Sequence, residues 1–443
     1  MLALSIEKKR ELRFFLRMLA NTIGVVGLVT VLASCSTSPG YSYTIGGTVS
    51  GMVGSGMVLQ NNGGDDRSIS ANGSFSFHTP LTAGTAYDIT VKTQPTNPSQ
   101  TCSVSRGSGT TNGAPVSNVV VDCVTGPTSI TVDPSGQFAY AANTDGTISA
   151  YNIDSTYGTL QLLNKVTAGT YPTSVTVDPL KRGFAYAADT IGGTIWAYTI
   201  ETDGELKFLE TVDAGSYPTS VMVDQSGKFV YVANMGDNTI SAYTIDPTYG
   251  TLTALGTPVA AGTSPTSIIT VDLLVGEFAY VVNMIDKTIW FYSINSSNGN
   301  LTYLGKVATG AYSSSVTVDQ SGKFAYAANE GSNNISVYTI NQTTGALVAG
   351  TAVAAGTSPT SVVTVLVGSS EFAYVTNSGD GTTWFYSINS SNGKLTYLGK
   401  VTAGTYPASV TVDPLGRFAY VANMGGGNIS VYKINSDGTL TPQ

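Results

Sequence analysis

Charge is what this sequence has least of. Only 11% of its 443 residues are Asp, Glu, Lys or Arg, against about 25% in ordinary soluble domains. Histidine occurs once, at His78. One histidine excludes a Ser-His-Asp triad or a histidine base over most of the chain, and it excludes a zinc site built on several imidazoles. Cysteine occurs three times, too rarely for a thiolate centre. Beyond residue 125 the only arginines are Arg182 and Arg417. With no basic patch, nucleic acid is excluded as a partner. Calcium loops of the EF-hand or Gly-Gly-x-Gly-x-Asp type are missing, and no metal or cofactor is expected. Apolar residues at a sustained 3.6 spacing are missing too, which excludes long amphipathic helices.

Glycine (50) and tyrosine (25) are abundant instead, and Ser and Thr crowd the chain. This composition suits an exported all-β protein with many turns. The first 34 residues carry a net charge of +3, which leaves −11 for the remainder. Their basic stretch EKKRELRFFLR precedes the run MLANTIGVVGLVTVLAS, which Asn21 and Thr22 interrupt. The run is too short for a good membrane span and reads as a signal peptide over 1–34. It ends in Leu32-Ala33-Ser34-Cys35, which resembles the bacterial lipobox. The resemblance implies cleavage before Cys35, a lipid on its sulfur, a tether over 35–40, and membrane attachment at the cell envelope. Ser36 resembles the sorting residue of lipoproteins sent to an outer membrane or the cell surface.

Residues 41–125 form a run of short β-branched and aromatic segments separated by Gly, Asn and Asp turns, as in a small β-sandwich. The pattern resembles Ig-like or carboxypeptidase-regulatory-like modules. Cys102 and Cys123 allow one pairing, and a disulfide there closes a loop worth about 3 kcal/mol on the chain-entropy model.

After Gly126 the sequence repeats. A Pro-Thr-Ser anchor falls at Pro127, Pro172, Pro218, Pro265, Ser313, Pro359 and Pro407, with spacings of 45, 46, 47, 48, 46 and 48. Such a period means a solenoid, propeller or array. Each unit reads as four strands joined by tight turns, one propeller blade. The predicted fold is therefore all-β: a β-sandwich module over 41–125, then a seven-bladed propeller of four-stranded antiparallel blades over 126–443. The second strands read FAYAAN, FAYAAD, FVYVAN, FAYVVN, FAYAAN, FAYVTN and FAYVAN. These units resemble the YVTN-type repeat and the blades of lactonase-like (6-phosphogluconolactonase-like) propellers. That resemblance implies the fold and, as an alternative function, lactone hydrolysis.

Asp133, Asp178, Asp224, Asp272, Asp319 and Asp413 recur at one point of the unit and are expected to cap turns. Asn143, Asn234, Asn283, Asn329, Asn377 and Asn423 recur at the ends of second strands and are expected to bond the following turn. No catalytic residue emerges. Two features break the period. Trp196, Trp290 and Trp384 occupy the third strand of even units where odd units have Ser, which reads either as packing between blades or as a sugar-stacking platform. Units four and six carry lengthened, apolar connections, Asp272–Glu277 and Leu366–Glu371. Leu273, Leu274, Val275, Leu366 and Val367 there form a candidate partner patch or tuck against a neighbour. Ring closure is expected by pairing of Val119–Val124 with the C-terminal strand, with the disulfide pinning the sandwich to that seam. Looser packing, or filling by some other side chain, is expected where units seven and one meet.

The reading that follows is a monomeric, lipid-anchored envelope protein whose propeller binds or scaffolds a protein or glycan partner without catalysis. The alternatives are a lactonase-like hydrolase and a glycan-binding adhesin.

Overall fold

The computed structural model describes residues 42–50, 52, 55–95, 101–124 and 126–443. The signal segment, the tether and Cys35 lie outside the described residues. Among the described residues no helix is long and apolar enough to cross a membrane.

Two four-stranded sheets and a two-stranded one, Ser42–Tyr43 with Leu81–Thr82, make up the N-terminal module among the described residues, and the core lies between the larger two. They share one core, in which Ile45, Val49, Phe75, Val119 and Val121 of the first sheet meet Met57, Leu59, Ile69 and Ile89 of the second. Cys102 and Cys123 are joined by a disulfide between directly opposite residues of neighbouring strands.

Seven antiparallel sheets follow, each a consecutive stretch of chain. The first blade comprises Pro127–Val132, Phe138–Asn143, Thr147–Ile153 and Leu160–Thr167. The seventh comprises Pro407–Val412, Phe418–Asn423, Asn428–Ile434 and Leu440–Pro442. In the third and fifth blades the outer strand is split in two, as in Leu252–Ala254 and Val259–Ala260. First strands of successive blades pack side by side and surround the central channel. From the residue after the Phe to the closing Asn or Asp, every second strand is buried, which is why both of its faces are apolar there.

Three repeated contacts lock each blade to the next. The first is made by the second strand. Its Tyr hydroxyl donates to a glycine carbonyl in the third-to-fourth-strand turn of the next blade: Tyr140 to Gly204, Tyr186 to Gly250, Tyr231 to Gly299, Tyr280 to Gly345, Tyr326 to Gly393 and Tyr374 to Gly438. The Phe two residues earlier lies on that same glycine, so a Cβ at Gly250 would stand 2.2 Å from Phe184. Gly250 also has φ +75, a conformation side chains resist. The second lock joins third strands to the preceding blade, as Tyr198 donates to the Thr167 carbonyl and Tyr243 to that of Asp213. The third surrounds the channel. Thr128, Thr219, Thr266, Ser314 and Thr360 each donate to the first residue of the next blade's inner strand.

Where the seventh blade meets the first, Phe418 still lies on Gly158, but the hydrogen bonds of all three locks lapse among the described residues. The Tyr420 hydroxyl is buried without a partner, Tyr151 donates no hydrogen bond among the described residues, and Ala408 stands where the other blades carry Thr or Ser. What joins the two blades is packing of Ile130, Val132, Ala139 and Ala141 against Phe418, Tyr420 and Ala422.

Several expectations need correction. Val116–Val124 pairs only with two strands of the N-terminal module, and Leu440–Pro442 pairs only with its own blade. The ring therefore closes without strand exchange, and the disulfide pins no seam. The lengthened connections of blades four and six are not loops. They extend the hairpins Pro265–Leu273 with Gly276–Asn283 and Pro359–Val367 with Ser370–Asn377, each turning over two residues. Asp272 accordingly sits in a strand opposite Glu277, one residue out of phase with the other aspartates, and caps no turn.

The locks can be weighed by substitution. Tyr186→Phe leaves a buried carbonyl unpaired and is expected to cost about 1–2 kcal/mol, whereas Tyr420→Phe, which has no bond to lose, is expected to be close to neutral. Ala408→Thr supplies the missing inner-ring donor and is expected to stabilise by about 1 kcal/mol. Urea unfolding of the three variants checks the ranking.

Candidate functional site

The recurrent polar residues are consumed by the scaffold. Asp133 accepts hydrogen bonds from the backbone of Ser135, Gln137 and Phe138. Asp319 accepts from Lys323 and Phe324, and Asp413 from Arg417 and Phe418. Asn234 donates to Thr239 and Ser241 just past its turn, and also accepts from Gly215 in the connector entering its blade. A Cβ at Gly215 would overlap that side chain, and the glycine three residues before the inner strand recurs ahead of blades two to seven.

The period-breaking tryptophans do not come together. Trp196, Trp290 and Trp384 lie half-buried on blades two, four and six, facing blades one, three and five. Each stacks on an outer-strand aromatic of its own blade: Phe208 at 5.3 Å, and Tyr303 and Tyr397 at 4.8 Å between ring centroids. Lys306 and Lys400 lie 5.7 Å over the rings of Trp290 and Trp384. On odd blades the serine at this position instead receives the amide of the recurrent asparagine, as Ser149 does from Asn143.

The apolar patch divides. Leu273 lies against Gly322 of blade five and Val367 against Gly416 of blade seven, so both tuck onto the next blade's turn. Leu274 is 97% exposed at the hairpin tip, and Val275 and Leu366 are about half exposed.

A cavity of about 370 Å³ opens at the channel beside that hairpin. Blade three contributes Met222 and Gln225, blade four Ile269, Thr270 and Asp272, and blade five Thr317, Asp319 and Gln320. No lysine or arginine lines it. Behind the wall stands Glu277, only 7% exposed, whose carboxylate accepts from the Gln225 backbone. Burial, with the Asp224 and Asp272 carboxylates nearby, pushes Glu277 up to about 7. Thr270 faces this carboxyl from the cavity wall, yet its buried hydroxyl closes no hydrogen bond. Blade six repeats the arrangement in reduced form. Glu371 accepts from the Gln320 backbone and is raised by burial, but Leu366 takes the place of Asp272.

Sequence reasoning missed Glu277, although one signal was available: a glutamate directly before the FAY strand occurs only in units four and six. The two propeller arginines are unavailable to a ligand anion. Arg182 and Arg417 each pair at 2.7 Å with Asp178 and Asp413 of their own turns. Among the described residues no cluster of His, Cys, Asp or Glu has the arrangement of a metal site.

The fold has wide company. A candidate 6-phosphogluconolactonase of Bacteroides fragilis superposes with a TM-score of 0.57 at 19% identity, covering 80% of this chain and 96% of its own. A periplasmic gluconolactonase of Pseudomonas aeruginosa gives 0.56 at 18% identity, over 64% and 86%. Hydrazine synthase of Kuenenia stuttgartiensis gives 0.56 at 15%, over 70% and 96%. At such identities these likenesses show the fold alone. The comparison with curated proteins finds no match. A family model described as Lactonase, 7-bladed beta-propeller matches residues 93–189, 180–270, 271–364 and 349–443. Together these segments run from the last part of the N-terminal module through every blade, and the chain belongs to the lactonase family of seven-bladed β-propellers.

Proposed function

We propose that this propeller hydrolyses an unphosphorylated, sugar-derived lactone at the channel cavity, while tethered to the cell envelope through a lipid on Cys35. The observation that carries the reading is the cavity's charge. Asp272 and Asp319 border it, Glu277 stands behind it, and no cation lines it. A phosphate dianion placed there meets only negative charge, and both arginines that might fork onto it are held by aspartates. A neutral, hydroxyl-rich ring instead finds donors and acceptors in Gln225, Gln320, Thr270 and Thr317. Hydrolysis needs a base to take a proton from water as it adds to the lactone carbonyl, and a base works best near the operating pH. Glu277, at about 7, has that property, and the unused Thr270 hydroxyl offers the proton a path to it.

A second reading, binding without turnover, is favoured by one fact: Glu277 stands behind the lining residues rather than among them. The glycan-adhesin alternative draws no support from three tryptophans held in stacks on separate blades.

Titrating purified protein starting at Ser36 with gluconolactone and with 6-phosphogluconolactone separates these readings. Hydrolysis of the first and not the second is expected, with a rate that rises with pH through about 7 as Glu277 ionises. Glu277→Gln is expected to lower kcat by about 10²–10⁴ with little change in binding. Binding without acid release supports the second reading, and neither binding nor turnover rejects both. Anchoring is checked separately by mass spectrometry of the N-terminal peptide. A diacylated Cys35 is expected, and Cys35→Ala should move the protein from the detergent to the aqueous phase.

A further inference from the structure

The tight turn between first and second strands reads Asp-Pro in blades one, two and seven, at Asp133-Pro134, Asp178-Pro179 and Asp413-Pro414. In blades three and five it reads Asp-Gln, at Asp224-Gln225 and Asp319-Gln320. These two blades flank blade four, and both glutamines line the channel cavity. Part of the exchange has a structural cause. Proline has no N–H, and the backbone N–H groups of Gln225 and Gln320 donate to Glu277 and Glu371 of the following blades, at 3.3 and 2.7 Å. That bond asks only for a residue other than proline. It does not ask for glutamine, and it leaves both side chains unused. Both residues are exposed, and neither side-chain amide makes a hydrogen bond among the described residues.

The apolar part of the cavity breaks the period as well. The fifth residue of the inner strand is Thr131, Thr176, Thr317 and Thr411 in blades one, two, five and seven. In blades three and four it is Met222 and Ile269, and both line the cavity. Thr270, 6% exposed and lining the same cavity, keeps a hydroxyl without a partner, whereas its counterpart in blade six, Thr364, donates to the Val318 carbonyl. The cavity thus combines two free amides, an unmet hydroxyl and an apolar surface. Its volume of about 370 Å³ lies at the small end of ligand sites, about 300–1,000 Å³, and suits one ring rather than an oligosaccharide. A six-membered sugar ring matches such a surface. Its C–H face is apolar, and its edge carries hydroxyls that donate and accept, as an amide does.

We propose that Gln225 and Gln320 are the specificity-determining residues of this cavity, each amide holding a hydroxyl of one six-membered sugar ring whose C–H face rests on Met222 and Ile269. The inference rests on the sugar-lactone reading of the same cavity and narrows it: the pair selects the hydroxylated ring, whatever becomes of the lactone bond. A site built to pair hydroxyls discriminates against a ring that lacks them.

The probe is 1,5-anhydroglucitol, which has the ring and hydroxyls of gluconolactone and no carbonyl to hydrolyse. Titrated into the full chain and followed by calorimetry, it is expected to bind saturably. Gln225→Ala and Gln320→Ala are each expected to weaken binding about tenfold, the worth of one hydrogen bond. Their melting should not change, because alanine keeps the N–H that braces the glutamate. Gln137→Ala, in an exposed turn of blade one, is expected to bind as the unaltered chain does. In a lactonase assay both cavity variants are expected to lose more kcat/KM on gluconolactone than on δ-valerolactone, whose ring carries no hydroxyl. Binding that needs both glutamines, in a chain that hydrolyses no lactone, supports this inference and rejects hydrolysis. The inference is overturned if the sugar does not bind, if either cavity variant binds it as well as the unaltered chain, or if Gln137→Ala weakens it equally. Hydrolysis of gluconolactone alongside any of those results leaves the lactonase reading standing without it.

Discussion

A second strand buried on both faces has no water to offer a side chain. A tyrosine there brings a hydroxyl into the dry interior, where an unpaired polar group costs more than a made bond returns. The only acceptors within reach are carbonyls of the next blade. The turn that supplies one must approach closely, and the Phe of the same strand occupies the space a side chain there would need. Glycine is therefore required, in a left-handed conformation, at Gly204, Gly250, Gly299, Gly345, Gly393 and Gly438. One dry hydroxyl thus dictates the Phe-x-Tyr pattern, the turn glycine and the spacing of neighbouring blades. The rest of the ring is arranged around this contact.

Because each blade locks mainly onto its neighbours, the ring behaves as a chain of nearest-neighbour joints. Six are made by packing and hydrogen bonds together. Among the described residues the joint between blades seven and one shows packing, of Ile130 and Ala141 against Phe418 and Ala422, and a buried hydroxyl, Tyr420, without a partner. Local opening follows the weakest joint, so this seam is where the ring opens first.

The period, the strand count and the turn-capping aspartates were legible in the sequence because each is a local pattern repeated many times. Three things were not. Asp272 looks like its sister aspartates, but the hairpin of blade four is longer, and a one-residue shift in a strand turns a side chain to the other face. Val271 takes the cap position, and Asp272 turns out to the cavity. Closure was misjudged because Val119–Val124 resembles a blade strand, while pairing is decided by long-range competition that a local pattern does not contain. Nothing local announces that Tyr217, Tyr312 and Tyr406 adopt φ +52, a geometry set by how connectors enter the inner strand. The candidate site was legible only as a departure from the period.

Blades four and six supply an internal comparison that shows what makes the cavity distinct. Both have lengthened hairpins, and in both a glutamate reaches back to the turn of the preceding blade. Both glutamates are raised by burial, and each has an aspartate of the preceding blade nearby, Asp224 or Asp319. Only Glu277 also faces a carboxylate across its own hairpin, because Asp272 stands where blade six has Leu366. A further like charge at that distance disfavours ionisation, and Glu277 alone is carried up to about 7. Asp272 also gives the cavity wall its most accessible carboxylate, since Asp319 is occupied by its own turn. A single acidic side chain at a period-breaking position therefore adds to the charge of the cavity and, after burial and Asp224, to the proton affinity of the group behind it. Asp272 thus contributes both to the electrostatics that disfavour a phosphate and to the near-neutral carboxyl that suits a base.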